Sequence, residues 1–358
     1  MRQVILLGGR GGRRADYLRK AADEQKVPLQ ILDWKDWGGE LPEGELFVKV
    51  DPPLWESSAL KNLEQLTEAY GQDLALLAEK AKGRSVEFLN TPEAIAVLLD
   101  KRRCKERLIR RGLPVTALLK TEEGPGHQIR DLNLLLETMR QSSLYQVFIK
   151  PVRGSGAAGV SAFRVQPKTG RMSLYTCAGY LPGTGPVNTK KLRNYTEPGE
   201  IRRLLDGILK LPCVIERWYP KAAVDGFVYD LRVVVQGGGV DYVLARLSKG
   251  PITNLQLNNR PLPAKALGLS DRAWKEIFLL CKKAAACFPG LQSAGIDLLL
   301  EKGSLSPRII EMNAQGDLIY QDIYQNNRIY RRQAERMSRW LYGSERSHRQ
   351  EREKNEGI

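Results

Sequence analysis

The chain has 358 residues, 42% hydrophobic and 27% charged, a composition that supports a sizeable core and a length for two or three domains. Its 56 basic and 41 acidic residues leave a net charge of +15, which fits nucleic acid or anionic small substrates. No apolar run reaches transmembrane length, and the stretch in MRQVILLGGRGG is too short for a signal peptide. The five cysteines (Cys104, Cys177, Cys213, Cys281, Cys287) lack CxxC spacing, so neither zinc nor a disulfide framework is indicated. A reducing cytoplasm and no membrane partner are therefore expected. Without a zinc finger, an RNP-like aromatic strand or a polybasic block, nucleic acid is the minority reading.

Residues 3–9 (QVILLGG) read as a buried strand, GRGGRRADYLRKAADEQ as a loop entering a helix, and VPLQILDW as a second strand. This is a β-α-β opening of Rossmann type. Gly8, Gly9, Gly11 and Gly12 are spaced GGRGG, not G-x-G-x-x-G. A tight strand-to-helix turn is thus favoured over a dinucleotide site, even with Asp33 closing the second strand. ELFVKVDPPLWES (45–57) is a strand stopped by a proline pair. Residues 58–82 have helical spacing through Leu60, Leu63, Leu66, Leu74 and Leu77, with an interruption expected at Gly71. After a short strand, Thr91 caps a helix with Pro92 at its first position and Glu93 in its first turn. A second helix ends at Gly112, with Pro114 beyond it. Residues 115–145 hold a strand, the turn TEEGPGHQ and the helix DLNLLLETMRQ.

The strand VFIK ends in Lys150 and is broken by Pro151. Gly154, Ser155, Gly156 and Gly159 then form a loop in which backbone N–H groups can approach phosphate oxygens closely. Such loops are common between strands, and the P-loop signature is absent. CVIERWYP (213–220) is a strand and turn, and residues 229–260 offer two strands around a glycine turn. Residues 271–288 form a helix with Trp274, Ile277, Phe278 and Cys281 on one face. Residues 294–318 form a hairpin turning at Lys302-Gly303-Ser304. Its second strand projects Glu311 and Asn313 to one side. If Asp297 faces that side, three oxygen donors converge, a set suited to Mg²⁺. The alternative is an ordinary hairpin with solvated acids. Residues 319–343 read as a helix, apolar through Ile323, Ile329, Met337 and Trp340, followed by a charged tail.

Over residues 85–325 these elements resemble the ATP-grasp superfamily, in particular RimK-like and glutathione-synthetase-like carboxylate–amine ligases. The resemblance rests on N-x-P-E…D-K…GLPVT, the lysine-ended strand with its glycine loop, and D-x-R at Asp230-Leu231-Arg232. It rests also on an R…N element at Arg246 and Asn254 and on D…E-x-N at Asp297, Glu311 and Asn313. It implies an α/β chain of α+β modules, an ATP-grasp fold preceded by a Rossmann-like N-terminal domain (1–84). A linker or first subdomain (85–145), a lobe with glycine loop and hinge (146–220), a lobe with the metal site (221–330) and a basic helix and tail (331–358) would follow.

The implied cofactors are ATP and Mg²⁺, or Mn²⁺ in its place, with Asp297, Glu311 and Asn313 as metal ligands. Lys101 and Lys150 would reach ATP phosphates, under a loop containing Ser155 and Gly156. Glu216, Arg217, Trp218 and Tyr219 would line the adenine, and Asp225 is a candidate for the ribose. Asn254 completes the nucleotide set, and Arg232 and Arg246 would be the catalytic pair. The family more often has a glycine pair after that asparagine, where Asn258-Asn259-Arg260 stands here. The partners implied are a carboxylate and an amine, small molecules or peptides, joined through an acylphosphate; an oligomer is compatible with this. Without the resemblance, Lys101 is one solvated cation of a basic helix, Trp218 is core, and the two arginines pair with acids such as Asp230 or Asp241. A silent ATP-binding protein, a kinase on the same scaffold and a basic nucleic-acid-binding protein are the competing readings.

Overall fold

The computed structural model describes residues 1–119, 128–154, 156–257, 259–314 and 326–343. Strands β1 (Arg2–Gly8), β2 (Leu29–Asp33), β3 (Glu45–Val50) and β4 (Val86–Phe88) form a parallel sheet in the order β2-β1-β3-β4. Helices α1 (Arg13–Glu24) and α2 (Leu60–Ala81) accompany it. β1 and β3 are buried almost throughout, as parallel strands covered on both faces must be. The turn after β1 lies against the loop after β3. A Cβ on Gly9 would stand 2.5 Å from Leu54 Cγ, so any other residue there would require the Leu54 side chain to shift. Helix α2 runs unbroken through Gly71, contrary to the expected interruption. Tyr70, Leu74 and Leu77 are fully buried in the core, and that burial outweighs the roughly 1 kcal/mol that a mid-helix glycine costs.

Helices α3 (Pro92–Leu99) and α4 (Lys101–Arg110) share Asp100, the C-cap of one and the N-cap of the next. Its carboxylate accepts from the Arg103 N–H at 2.9 Å. Thr91 caps α3 as expected, accepting from Ala94 N–H at 3.3 Å. Helix α5 (Leu132–Gln141) starts at the Asp131 cap. An antiparallel sheet follows, built from β5 (Gln146–Pro151), β6 (Ser161–Val165), β7 (Met172–Leu181), β8 (Gly185–Tyr195) and β9 (Cys213–Arg217) in the order β8-β7-β6-β5-β9. Its core is completed by α5 and by α6 (Pro198–Leu209). The β7–β8 hairpin and α6 occupy a stretch to which the sequence reading assigned no element.

A six-stranded sheet comes next, from β10 (Ala223–Val224), β11 (Phe227–Gln236), β12 (Gly239–Ser248), β13 (Arg260–Pro263), β14 (Ser293–Leu300) and β15 (Pro307–Asn313). Its order is β13-β12-β11-β14-β15, with β10 on β11 and helix α7 (Asp271–Ala286) packed against it. The last helix, α8 (Arg328–Tyr342), follows Asn326 and Asn327, which are left-handed at φ 48° and 62°, and residues 319–325 of the expected helix lie outside the described residues. Ile323 lies outside the described residues. Helix α8 covers the N-terminal sheet, where Tyr330, Ala334 and Met337 share a core with Val4, Leu6 and Leu18. Its polar side reaches the six-stranded sheet through Gln333, which donates to Gln236 Oε1 (3.2 Å) and Ser293 Oγ (3.3 Å). Among the described residues no helix is long and apolar enough to cross a membrane.

Asn90, just beyond β4, ties the N-terminal domain to the end of β14 and the residue after β15. Its Nδ2 donates to the carbonyls of Ser293 (2.8 Å) and Ala314, and its Oδ1 accepts the Gln292 and Ser293 N–H groups, each at 2.8 Å. An unsatisfied buried polar group costs about 1–3 kcal/mol. Asn90→Ala is therefore expected to lower the melting temperature by several degrees, while Glu79→Ala at an exposed ion pair changes it little. Calorimetry on both variants checks this, and equal melting would show that other contacts join the domains.

Candidate active site

Antiparallel register places the predicted residues in rows across the six-stranded sheet. Leu244, Arg232, Asp297 and Glu311 are consecutive cross-strand partners on β12, β11, β14 and β15. Two residues further along, Arg246, Asp230 and Leu299 form the next row on the same face. The rows are bound by charge. Arg232 grips Asp297 through Nε–Oδ1 at 2.5 Å and Nη2–Oδ2 at 3.2 Å. Arg246 grips Asp230 at 2.7 and 2.8 Å and reaches Asp297 Oδ2 at 3.1 Å. Burial pushes the Asp297 carboxyl up, but the Arg232 and Arg246 charges outweigh it and hold the group below its ordinary range. Lys221 joins this network, donating to Thr253 Oγ1 (2.8 Å) and the Pro251 carbonyl (3.1 Å), 3.8 Å from Asp230. Burial there draws its pKa down to about 8.

The five-stranded sheet supplies the opposing wall. Lys150 at the end of β5 meets Glu216 of β9 at 2.8 Å, and Lys105 of α4 meets the other carboxylate oxygen at 2.7 Å. Thr116 adds a hydroxyl donor at 2.7 Å. Glu216 is 2% exposed and the two lysines 4–5%, so these charges are almost wholly removed from water. Burial opposes the ionisation of Glu216, yet Lys105 and Lys150 outweigh it and hold the pKa at about 2. Burial brings Lys105 down to about 8 despite its partner. Lys101, at the first position of α4, donates to the Gly154 carbonyl at 2.8 Å. It thereby ties that helix to the glycine-rich loop and stands 4.0 Å from Glu311.

Between the walls lies a cavity of about 450 Å³. It brings together Lys101, Lys150, Gly156, Glu216, Arg217 and Tyr219 with Arg232, Arg246, Asn254, Asp297, Glu311 and Asn313. Trp218 is not among its lining residues and packs on Phe148, with ring centroids 5.4 Å apart. Asp225 sits in a left-handed turn (φ 50°) outside the lining. Ser155 lies outside the described residues. Glu216, expected at the adenine edge, has its oxygens engaged by lysines and Thr116. The N–H groups of Arg217 and Trp218 donate to the Ala117 (2.8 Å) and Gln146 (3.2 Å) carbonyls, so these two donors are already engaged at the hinge.

Sequence reasoning passed over Lys105, Thr116, Lys221 and Thr253. Lys105 had a signal, since it follows Lys101 by one helical turn on the same face. Lys221 had none, because its partners come from a distant loop.

Glu311 and Asn313 turn toward the cavity, and the Glu311 side chain is 26% exposed. Two carboxylates and an amide oxygen on one sheet face fit a hard, oxygen-seeking cation. Glu311 and Asn313 fit most readily, since Asp297 is shared with two guanidinium groups. Among the described residues, no group of three or more His, Cys, Asp or Glu that could hold a metal ion is gathered.

The lysine pair makes Glu216 a stability determinant. Removing one member of a buried ion cluster costs about 3–5 kcal/mol, so Glu216→Gln is expected to melt well below the parent at pH 7. The folded pKa of about 2 lies below the ordinary 4.5, so this stabilisation is complete above pH 4.5 and is lost as pH falls toward 2. The gap between parent and variant should narrow over that window. A gap independent of pH there would refute the charge argument.

No protein-family model matches this sequence, and no curated protein matches it. Comparison of structures gives full-length likeness. D-cycloserine synthetase DcsG aligns over 93% of this chain and 99% of its own, at 14% identity and a TM-score of 0.56. The ATP-grasp ligase PsnB complexed with a minimal precursor aligns over 94% and 98%, at 16% identity and a TM-score of 0.56. Macrocyclase MdnC from Microcystis aeruginosa MRC, bound to precursor peptide MdnA, aligns over 93% and 98%, at 14% identity and a TM-score of 0.55. With a parallel N-terminal sheet followed by two antiparallel ones around a shared cavity, this chain has the ATP-grasp fold.

Proposed function

We propose that the protein is an ATP- and Mg²⁺-dependent, ADP-forming ligase that joins a carboxylate to an amine. The observation that carries this is the facing of two charge sets across one cavity. Lys101, Lys150 and the glycine loop stand on one wall, and Arg232, Arg246, Asp297, Glu311 and Asn313 on the other. Support comes also from the structural neighbours, among them an ATP-grasp ligase solved with Mg and ADP.

In this reading Lys101 and Lys150 neutralise ATP phosphates, and Tyr219 and Arg217 border the base. Glu311, Asn313 and Asp297 would hold magnesium, which would supply positive charge to the phosphate oxygens. Arg232 orients the substrate carboxylate, one oxygen of which attacks the γ-phosphorus as ADP departs. Arg246 faces the transferred phosphoryl group. The amine then attacks the acyl carbon, phosphate leaves, and the nitrogen gives its proton to solvent. No side-chain nucleophile is required. Protein donors held by ion pairs and packed strands need little reorganisation as charge accumulates, which is the basis of electrostatic catalysis.

Product analysis tests the reaction class. ADP with an amide supports the ligase, ADP with a stable phosphoester indicates a kinase, and bound ATP without ADP indicates a silent binder. Glu311→Ala is expected to keep the parental melting temperature but lose ~10²-fold or more in turnover. Unchanged ADP release at saturating Mg²⁺ would remove Glu311 from the metal set. Arg232→Lys should raise KM for the acid while sparing ATP affinity, because lysine cannot reproduce the planar fork. Arg246→Lys should lower kcat more than binding. Thermal destabilisation with both constants intact would show that these arginines serve only to pair Asp230 and Asp297.

A further inference from the structure

The cluster in the five-stranded wall is one negative charge short. Lys105 and Lys150 meet opposite oxygens of Glu216 at 2.7 and 2.8 Å, so two cations share one carboxylate where the side chains are 2–6% exposed. The two lysines are placed differently, for Lys150 lines the cavity and Lys105 does not. Lys105 donates to protein acceptors, namely Glu216 Oε1, the Thr116 carbonyl at 3.1 Å and the Thr116 hydroxyl. We propose that Lys105 is a positioning residue for the nucleotide, acting through Glu216 on Lys150, and that an ATP phosphate at Lys150 supplies the missing charge and fixes a proton on Lys105. The inference rests on the nucleotide site of the reading above.

Electrostatics give the direction of the effect. A net positive charge removed from water is unfavourable, and the cluster relieves it by losing a proton. Lys105 is the member that loses it, because Lys150 borders the cavity while protein encloses Lys105. Burial draws Lys105 down to about 8, with the Lys150 charge acting in the same direction and Glu216 against it. A neutral amine has two hydrogens for three acceptors, so proton loss also leaves one oxygen of Glu216 or Thr116 without its donor. A phosphate beside Lys150 balances the cluster at two charges of each sign. It therefore raises the Lys105 pKa, and by linkage ATP binds the protonated form more tightly. Affinity is full below about pH 8, falls as pH rises through that value and levels off above the raised pKa of the complex.

Cys104, beside Lys105 on α4, is pushed up to about 12 by burial and stays a thiol through this range. Glu311, Lys101 and Asp100 lie beyond it. Lys221 of the opposite wall is also brought to about 8 by burial, and Asp230, Arg246, Lys150 and Asp297 face it. Its proton is therefore counted apart from that of Lys105.

Calorimetric titration of the full chain with ATP and Mg²⁺, without acid or amine, counts the protons taken up when run in buffers of different ionisation enthalpy. At about pH 8.5 the parent is expected to take up at least about half a proton per ATP, and its affinity to fall about tenfold between about pH 7 and 9.5. Lys105→Met should take up about half a proton less and bind ATP at pH 7 about tenfold more weakly than the parent. Lys105→Arg, whose guanidinium keeps its proton, should lose the same share of uptake yet retain the affinity of the parent at pH 7. Lys221→Met should keep the Lys105 share. Binding by the parent without proton uptake overturns the proposal, even if a substitution at this buried site prevents folding. Equal uptake in the parent and Lys105→Met overturns it too, as does loss of all uptake in Lys221→Met. Absence of ATP binding removes both the proposal and the nucleotide site. The ligase reading fails separately, if ATP binds with the stated uptake but no acid and amine yield ADP.

Discussion

Two lysines cannot be buried together in the wall of a cavity unless a carboxylate lies between them. Glu216 meets that requirement, holding Lys105 and Lys150 at 2.7 and 2.8 Å while Thr116 satisfies a further lone pair. The cluster draws on α4, β5, β9 and Thr116, and so joins α4 to the five-stranded sheet. A lysine with its charge supported from below can present its remaining donors to a phosphate. Left alone at that depth, it would shed its proton instead.

The opposite wall solves the same problem with arginines. Asp230 and Asp297 neutralise Arg232 and Arg246 along the cross-strand rows, and the bidentate geometry locks both guanidinium planes. This arrangement has a consequence for metal binding. The oxygens of Asp297 that would face a cation are those gripped by arginines, so Glu311 and Asn313 are the more available ligands.

Residues of α1, α2, α3 and the loop after β3 line the cavity as well. Asn90 and helix α8 join it to the six-stranded sheet through buried amides. Arg153, next to the glycine loop, reaches Glu64 and Glu68 of α2 at 3.4 and 3.7 Å. These contacts connect the segment beside the glycine-rich loop to helix α2, whose Thr67 lines the cavity.

Much of this was readable from local chemistry. Strand alternation placed Glu311 and Asn313 on one side, the threonine and proline at 91–92 began a helix, and a lysine near the end of a strand led into a glycine-rich turn. Each of these signals depends on neighbours within a few residues, where backbone geometry is set. The sequence could not say that Asp297 answers Arg232, that Glu216 serves two lysines, or that α8 covers the first sheet. Those outcomes depend on register between strands tens of residues apart and on which charges burial forces together. Gly71 shows the same ordering of effects, since the core contacts of Tyr70 and Leu74 kept the helix intact against its local preference. Residue chemistry by itself determined which groups were available, and tertiary packing decided their partners, because a charge removed from water takes the nearest opposite charge the fold supplies.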